Sequence, residues 1–227
     1  YEKLSNYDLS GGQIENVSRK YLINKILNQK EFNYEEILEY IKEEIDKGSE
    51  GFDLISNLTE KLSKLTNEEI FSFGIIIDEL MAKSYSSRLW CAAYLVNHGC
   101  SDDGFDYFRL WLISKGKEAF YDVVNNPDNL INYVHLVDSP EDELYGEFYE
   151  NEDFLYIAVD AYAKKNNVES FENLYEIYLD EFDNYKDKIK YEDSDYPHIK
   201  ITWNEEEPDT MRVLCPKLFE GFYLELE

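Results

Sequence analysis

Residues 89–116 read LWCAAYLVNHGCSDDGFDYFRLWLISKG, and the pattern of this stretch decides the fold class. Leu89, Ala92, Ala93, Leu95 and Val96 recur at helical spacing on one face. His98-Gly99 closes that helix, with glycine supplying the left-handed cap. Ser101 then serves as the N-cap of a second helix. Asp102, Asp103 and Asp106 sit in its first turns, where the positive end of the helix dipole favours carboxylates. Phe105, Phe108, Trp111 and Leu112 give the second helix its buried face. The stretch predicts a helix–corner–helix with an acidic rim.

Working outward, Thr66 and Glu69 form a capping box that opens an apolar helix from Ile70 to Lys83. Gly74 lies inside it. A glycine there costs about 1 kcal/mol against alanine, which suits a place where another helix packs close. Before it, Phe52 to about Lys64 predicts a helix with Leu54, Ile55, Leu58, Leu62 and Leu65 turned inward. Gln13 to Asn28 and Asn33 to Lys47 predict a two-helix hairpin, and Gly48-Ser49-Glu50-Gly51 reads as a linker. That linker divides the chain into a hairpin, 1–48, and a helical domain, 49–227. Downstream, a helix from Glu118 to Val124 stops at Asn125-Asn126-Pro127. Phe154 to Lys165 and Phe171 to Lys190 are two further amphipathic helices. The fold expected is mainly α, a multi-helix globular domain preceded by a two-helix hairpin. Short β strands near the C-terminus are the one departure, at His198 to Trp203 and where Phe222, Leu224 and Leu226 alternate.

The charge balance narrows the function classes. Lys and Arg number 22 against 49 Asp and Glu, a formal net charge of −27. From Asp138 onward there are 26 acidic and 8 basic residues, so the C-terminal part carries most of the excess. Such a surface repels nucleic acid and anionic membrane and attracts basic proteins or cations. No apolar run reaches the length of about 18 residues that spans a bilayer. The three cysteines, Cys91, Cys100 and Cys215, are an odd and sparse set, which implies reduced thiols and a cytoplasmic location. Cys91 lies in an apolar helix, where it reads as a packing residue.

The corner holds the candidate site residues: Trp90, His98, Cys100, Ser101, Asp102, Asp103, Asp106, Tyr107, Arg109 and Trp111. Asp102, Asp103 and Asp106 offer oxygens to a Mg²⁺ or Ca²⁺ ion, but the alternating ligands and distal Glu of an EF-hand are missing. His98-x-Cys100 alone falls short of a zinc ligand set. The plainer assignment is that Ser101 and Asp102 cap the helix while Asp103 or Asp106 pairs with Arg109. No Walker A pattern and no Ser-His-Asp elbow occurs, so no catalytic residue and no cofactor is assigned to this chain alone. The composition points to a non-catalytic acidic module that docks a basic protein. The alternatives are an immunity-like acidic binder that neutralises a basic toxin, and a divalent-cation-dependent enzyme using the corner aspartates.

Two resemblances add to this reading. SGGQIENVSRKYLINKIL (10–27) followed by FNYEEILEYIKEEID (32–46) resembles the small helical lid domain that ends an AAA+ ATPase module. It implies that Gly11 and Gly12 would approach a nucleotide, and that ATP and Mg²⁺ enter only with an upstream ATPase core. The corner resembles the bacterial domain of unknown function 4240 over about residues 52–165. That pattern is met at Leu89, Trp90, Ala92, Ala93, Tyr94, Gly99 to Asp103, Phe105, Tyr107 to Arg109, Trp111 to Ile113, Pro127 and Asp128. This resemblance implies no particular activity, because none is established for the family.

Overall fold

The computed structural model describes residues 41–48, 51–135, 148–168, 171–191 and 196–223. Five helices follow one another through short turns: α1 (Gly51–Leu62), α2 (Asn67–Ser84), α3 (Ser87–Val96), α4 (Asp102–Ser114) and α5 (Gly116–Asn125). A 3₁₀ turn at Pro127–Asn132 comes next. A second 3₁₀ turn, Glu152–Tyr156, leads into α6 (Ile157–Asn166), and α7 (Phe171–Ile189), α8 (Pro208–Leu214) and α9 (Pro216–Phe222) complete the chain. The architecture is mainly helical, a multi-helix assembly around one core. None of its helices is long and apolar enough to cross a membrane among the described residues.

α2 is the central helix, and its sequence shows why. Thr66 Oγ1 accepts from the Glu69 amide at 3.2 Å, and the Glu69 carboxylate accepts from the Thr66 amide at 2.8 Å. Past this cap, Ile70, Phe71, Phe73, Ile75, Ile76, Ile77, Leu80 and Met81 are all buried, on more than one face, so the helix is covered from several sides. α7 lies across it. The Phe71 ring meets Tyr162 at 5.6 Å, Tyr178 at 5.7 Å, Phe182 at 5.9 Å and Tyr185 at 5.5 Å, and Ser72 shares a hydrogen bond of 2.9 Å with the Tyr185 hydroxyl. Gly74 sits under this contact. A Cβ there would lie 3.0 Å from the Tyr178 hydroxyl and 3.6 Å from the Phe182 ring.

Upstream of the expected linker, residues 41–46 are helical and pack against the start of α5. Ile41 is fully buried, and Ile45 and Ile41 face Gly116, whose φ of 83° requires glycine. Glu43 pairs with Lys61 of α1 at 3.0 Å. The hairpin segments before residue 41, and Gly11 and Gly12 with them, lie outside the described residues.

The strands expected near the C-terminus are absent among the described residues, where only an isolated antiparallel bridge joins Asn204 to Glu207. Residues 198–203 instead run irregularly along α3, which supplies the partners that a sheet would have given. The Thr202 amide donates to Ser87 Oγ at 3.0 Å and Trp203 Nε1 donates to the Ser87 carbonyl at 2.9 Å. Beyond them, Pro208 and Pro216 each occupy the first turn of a short helix, the position where a missing N–H is harmless. Leu218, Phe219 and Phe222 are buried at helical spacing, so Phe222 belongs to a helix. Leu224 and Leu226 lie outside the described residues.

These last helices are anchored by buried polar groups. Asp128 Oδ1 accepts from the amides of Lys217 at 2.9 Å and Leu218 at 3.1 Å, in the first turn of α9. Its carboxylate therefore caps a helix 89 residues away in sequence. Arg88 bridges the Leu214 carbonyl at 2.9 Å and Asn126 Oδ1 at 2.8 Å.

Two measurements follow from these contacts. In equilibrium urea unfolding, Gly74→Ala should bring no gain in the native background, because the Tyr178 hydroxyl blocks the methyl group. The same change in a Tyr178→Phe background should stabilise the fold by up to about 1 kcal/mol, the helix propensity difference. Asp128→Ala should destabilise by about 2 kcal/mol and leave two buried amides without an acceptor. Its signature is faster hydrogen exchange at Lys217 and Leu218 than in α2.

Candidate functional site

The corner between α3 and α4 gathers most of the singled-out residues. α3 ends at Asn97, and His98 takes a left-handed conformation, φ 52°, followed by Gly99 at φ 137°. The Gly99 amide donates back to the Tyr94 carbonyl at 3.0 Å, so the helix end is closed by two successive residues with positive φ. His98 itself points to solvent. Ser101 Oγ accepts from the Gly104 amide at 3.1 Å and caps α4. Asp102 and Asp103 are exposed in the first turn. Trp90 Nε1 donates to the Cys100 carbonyl at 3.0 Å, and its ring stacks on Phe105 at 4.8 Å, which ties the two helices together.

Arg109 is fully buried, the largest fully buried side chain described. Its Nε donates to the Phe105 carbonyl at 3.3 Å, one Nη to the Met81 carbonyl at 2.6 Å, and the other Nη to the Asp106 carboxylate. The guanidinium also lies over the rings of Phe105 at 4.8 Å, Tyr85 at 4.9 Å and Tyr196 at 5.2 Å. Of the two carboxylates that could pair with it, Asp106 does. Asp103 instead faces outward near Tyr107.

Residues 148–151 return across the corner. The Tyr149 amide donates to Asn97 Oδ1 at 3.0 Å, the Asn151 amide donates to the Tyr107 carbonyl at 3.0 Å, and the Tyr149 ring meets Trp111 at 5.0 Å. Asn97 is buried and is the hinge of this crossing. Cys100 is half-buried, and burial, with Glu150 nearby, pushes its thiol up to about 12. Such a thiol stays protonated and makes a poor nucleophile at neutral pH.

On the outer side of α4 the groups are of another kind. Glu152 accepts hydrogen bonds from Tyr107 and, at 3.5 Å, from Tyr156. Burial, then Glu152 and Asp103, raise the Tyr107 hydroxyl above its ordinary value. Burial, then Glu152, Tyr175 and Asp153, raise Tyr156. Burial, with Asp153 adding, lifts Asp160 above the usual carboxylate range. Among the described residues, the neighbours that raise these groups are Asp103, Glu152, Asp153 and Tyr175. Leu155, Tyr156 and Tyr175 expose 46%, 39% and 53% of their surface, so the acids surround exposed apolar and aromatic area. Asp102, Asp103 and Asp106 do not converge on a common point. Among the described residues there is no group of three or more His, Cys, Asp or Glu side chains arranged to hold a metal ion.

The chain matches the family described as "Protein of unknown function (DUF4240)" over residues 28–164. It belongs to that family. No curated protein and no solved structure matches the chain. The DUF4240 match starts within the hairpin expected to form an AAA+ lid, spans Gly48, and gives the lid resemblance no support. The DUF4240 pattern at Pro127-Asp128 also gains a physical role, since proline starts the 3₁₀ turn and aspartate caps α9. Sequence reasoning missed Asn97, Tyr149 and Glu152, whose roles come from a return of the chain some fifty residues later. The crowding of Tyr and acids around residues 149–156 was the available signal.

Arg109 gives the corner a measurable signature. Arg109→Met should lower the unfolding free energy by about 3 kcal/mol, because Asp106 and two carbonyls lose a buried donor. Arg109→Lys should not restore it, since one ammonium cannot span three acceptors and three rings. Asp106→Asn should cost about 1 kcal/mol or less, as that carboxylate is half-exposed. Urea unfolding of the three variants checks the order.

Proposed function

We propose that this DUF4240 protein is a non-catalytic acidic helical module that docks a basic protein in the cytoplasm. The observation that supports it is the outer face of α4 and the segment that crosses it. There Asp103, Glu152, Asp153 and Asp160 surround Tyr107, Tyr156 and Tyr175, and the groups that perturb one another are all acidic or phenolic. Such a face suits lysine and arginine side chains. Carboxylates supply the ion pairs, and exposed tyrosine rings supply cation–π contacts and apolar area that a plain charged surface lacks. The overall charge of −27 would speed the encounter by long-range attraction. A basic toxin is one partner of this chemistry, so an immunity-like role is a special case of the same reading.

The buried Arg109 ties α4 to α2 and takes up the Asp106 carboxylate, and this supports assigning no catalytic role to either residue. Residues 1–47 would join the module to an AAA+ ATPase core, which would bring its own ATP and Mg²⁺. What supports that joining is only the resemblance of the SGGQIENVSRKYLINKIL and FNYEEILEYIKEEID stretches.

A labelled octa-arginine peptide tests the docking face by fluorescence anisotropy. Removing two charges on the face, Glu152→Gln with Asp153→Asn, should weaken binding about tenfold. Removing two elsewhere, Glu205→Gln with Glu206→Gln, should change it less than about twofold, and added salt should weaken the native protein's binding steeply. Equal losses from the two pairs would reduce the attraction to bulk charge and sink the proposal.

A further inference from the structure

Cys91 and Cys215 are both fully buried free thiols, Cys91 on α3 and Cys215 in the C-terminal segment that packs on that helix. Cys215 stands at the junction of α8 and α9, between two short helices. Its Sγ lies 3.9 Å from the Arg88 carbonyl, one turn before Cys91 on α3. Cys215 beside it, together with burial, holds the Cys91 thiol far above its ordinary value. As long as the segment stays seated, neither sulfur is open to an oxidant and Cys91 is not a thiolate, so the pair is inert. The seat itself is held by Arg88 on Leu214 and by Asp128 on the start of α9.

We propose that Cys91 and Cys215 form a redox latch, in which lifting of the C-terminal segment exposes the thiols and a disulfide between them then locks that segment onto α3. The chemistry needs a disulfide oxidant, for which glutathione disulfide is the small-molecule class. The Cys215 thiolate attacks one sulfur of that disulfide, forming a mixed disulfide and releasing one glutathione thiolate. The Cys91 thiolate then attacks the Cys215 sulfur, forming the protein S–S bond and releasing the second glutathione thiolate. Each protein thiol loses a proton to solvent, and the two electrons given up by the protein reduce the glutathione disulfide. The bond would close a loop across most of the helical domain, which restrains the unfolded chain strongly.

The test uses the full chain carrying Cys100→Ser, which removes the third thiol at a half-buried surface position. After incubation with glutathione disulfide, intact mass should fall by two hydrogens, and peptide mapping without reductant should recover a Cys91–Cys215 link. The thermal midpoint should rise by about 10 °C and return on adding reductant. Adding Asp128→Ala, which removes the acceptor that caps α9, should make the link form several-fold faster while the protein remains folded by circular dichroism. Glutathione adducts that never resolve, links between separate chains, or two thiols that stay free would each overturn the latch. A rate of linking that ignores Asp128→Ala would overturn it too, since oxidation would then not depend on lifting of the segment.

Discussion

A guanidinium with no access to water has to find its hydrogen-bond acceptors inside the protein, and Arg109 finds them on two helices at once. Met81 is in the last turn of α2, where carbonyls lack a backbone N–H partner within the helix, and its carbonyl accepts from Ser84 Oγ at 3.1 Å. Arg109 adds a second donor to it from α4. It also brings positive charge to the negative end of the α2 dipole. Asp106, one turn back on α4, completes the neutralisation, and the rings of Tyr85, Phe105 and Tyr196 line the remaining faces. The central helix and the corner helix are therefore fixed relative to one another by a polar centre inside an aromatic shell. A hydrophobic contact alone would tolerate sliding. Three directional bonds to two helices do not.

This arrangement divides the acidic residues of the corner into two groups by the direction in which they point. Asp106 is half-exposed, but its carboxylate is taken up by the buried Arg109. Asp102 and Asp103, one turn earlier, remain at the surface, and the crossing segment adds Glu152 and Asp153 beside Tyr107 and Tyr156. The crossing depends on Asn97, at the end of α3, whose carbonyl oxygen receives the Tyr149 amide. The corner thus acts as a bracket. Its inner side holds α2 and α4, and its outer side displays a band of acids and phenols.

The helices were legible because each has a local cause. The Thr66–Glu69 box, the Ser101 cap and the His98-Gly99 closure are decided by neighbours within four residues, and the structure shows all three. The strand-like reading of the C-terminus failed for the opposite reason. Alternation at Phe222, Leu224 and Leu226 carries no information about α3, and α3 is what holds residues 202–203. Gly74 lay between these cases, since a helix interior glycine signals a close neighbour without identifying Tyr178. At the site, the Arg109–Asp106 pairing was legible from a spacing of three on one helix. The partnership of Tyr107 with Glu152 was not, because it spans a connection whose path no local rule sets.

The family match ends at residue 164, yet the core does not. Met211, Cys215 and Leu218 are fully buried, and they cover apolar surface on α3 and on the Pro127–Asn132 turn. Without residues 196–223, Asp128 would be a carboxylate stranded beside an uncovered apolar patch, Arg88 would lose the Leu214 carbonyl, and Tyr196 would leave the Arg109 shell. Both Asp128 and Arg109 stand in the stretch that carries the DUF4240 pattern. Their native geometry is completed by a segment beyond the match, so in this protein the folding unit extends past the family's boundary. The C-terminal segment is therefore the last layer of the domain, seated by buried apolar side chains and fixed in place by the polar anchors at Arg88 and Asp128.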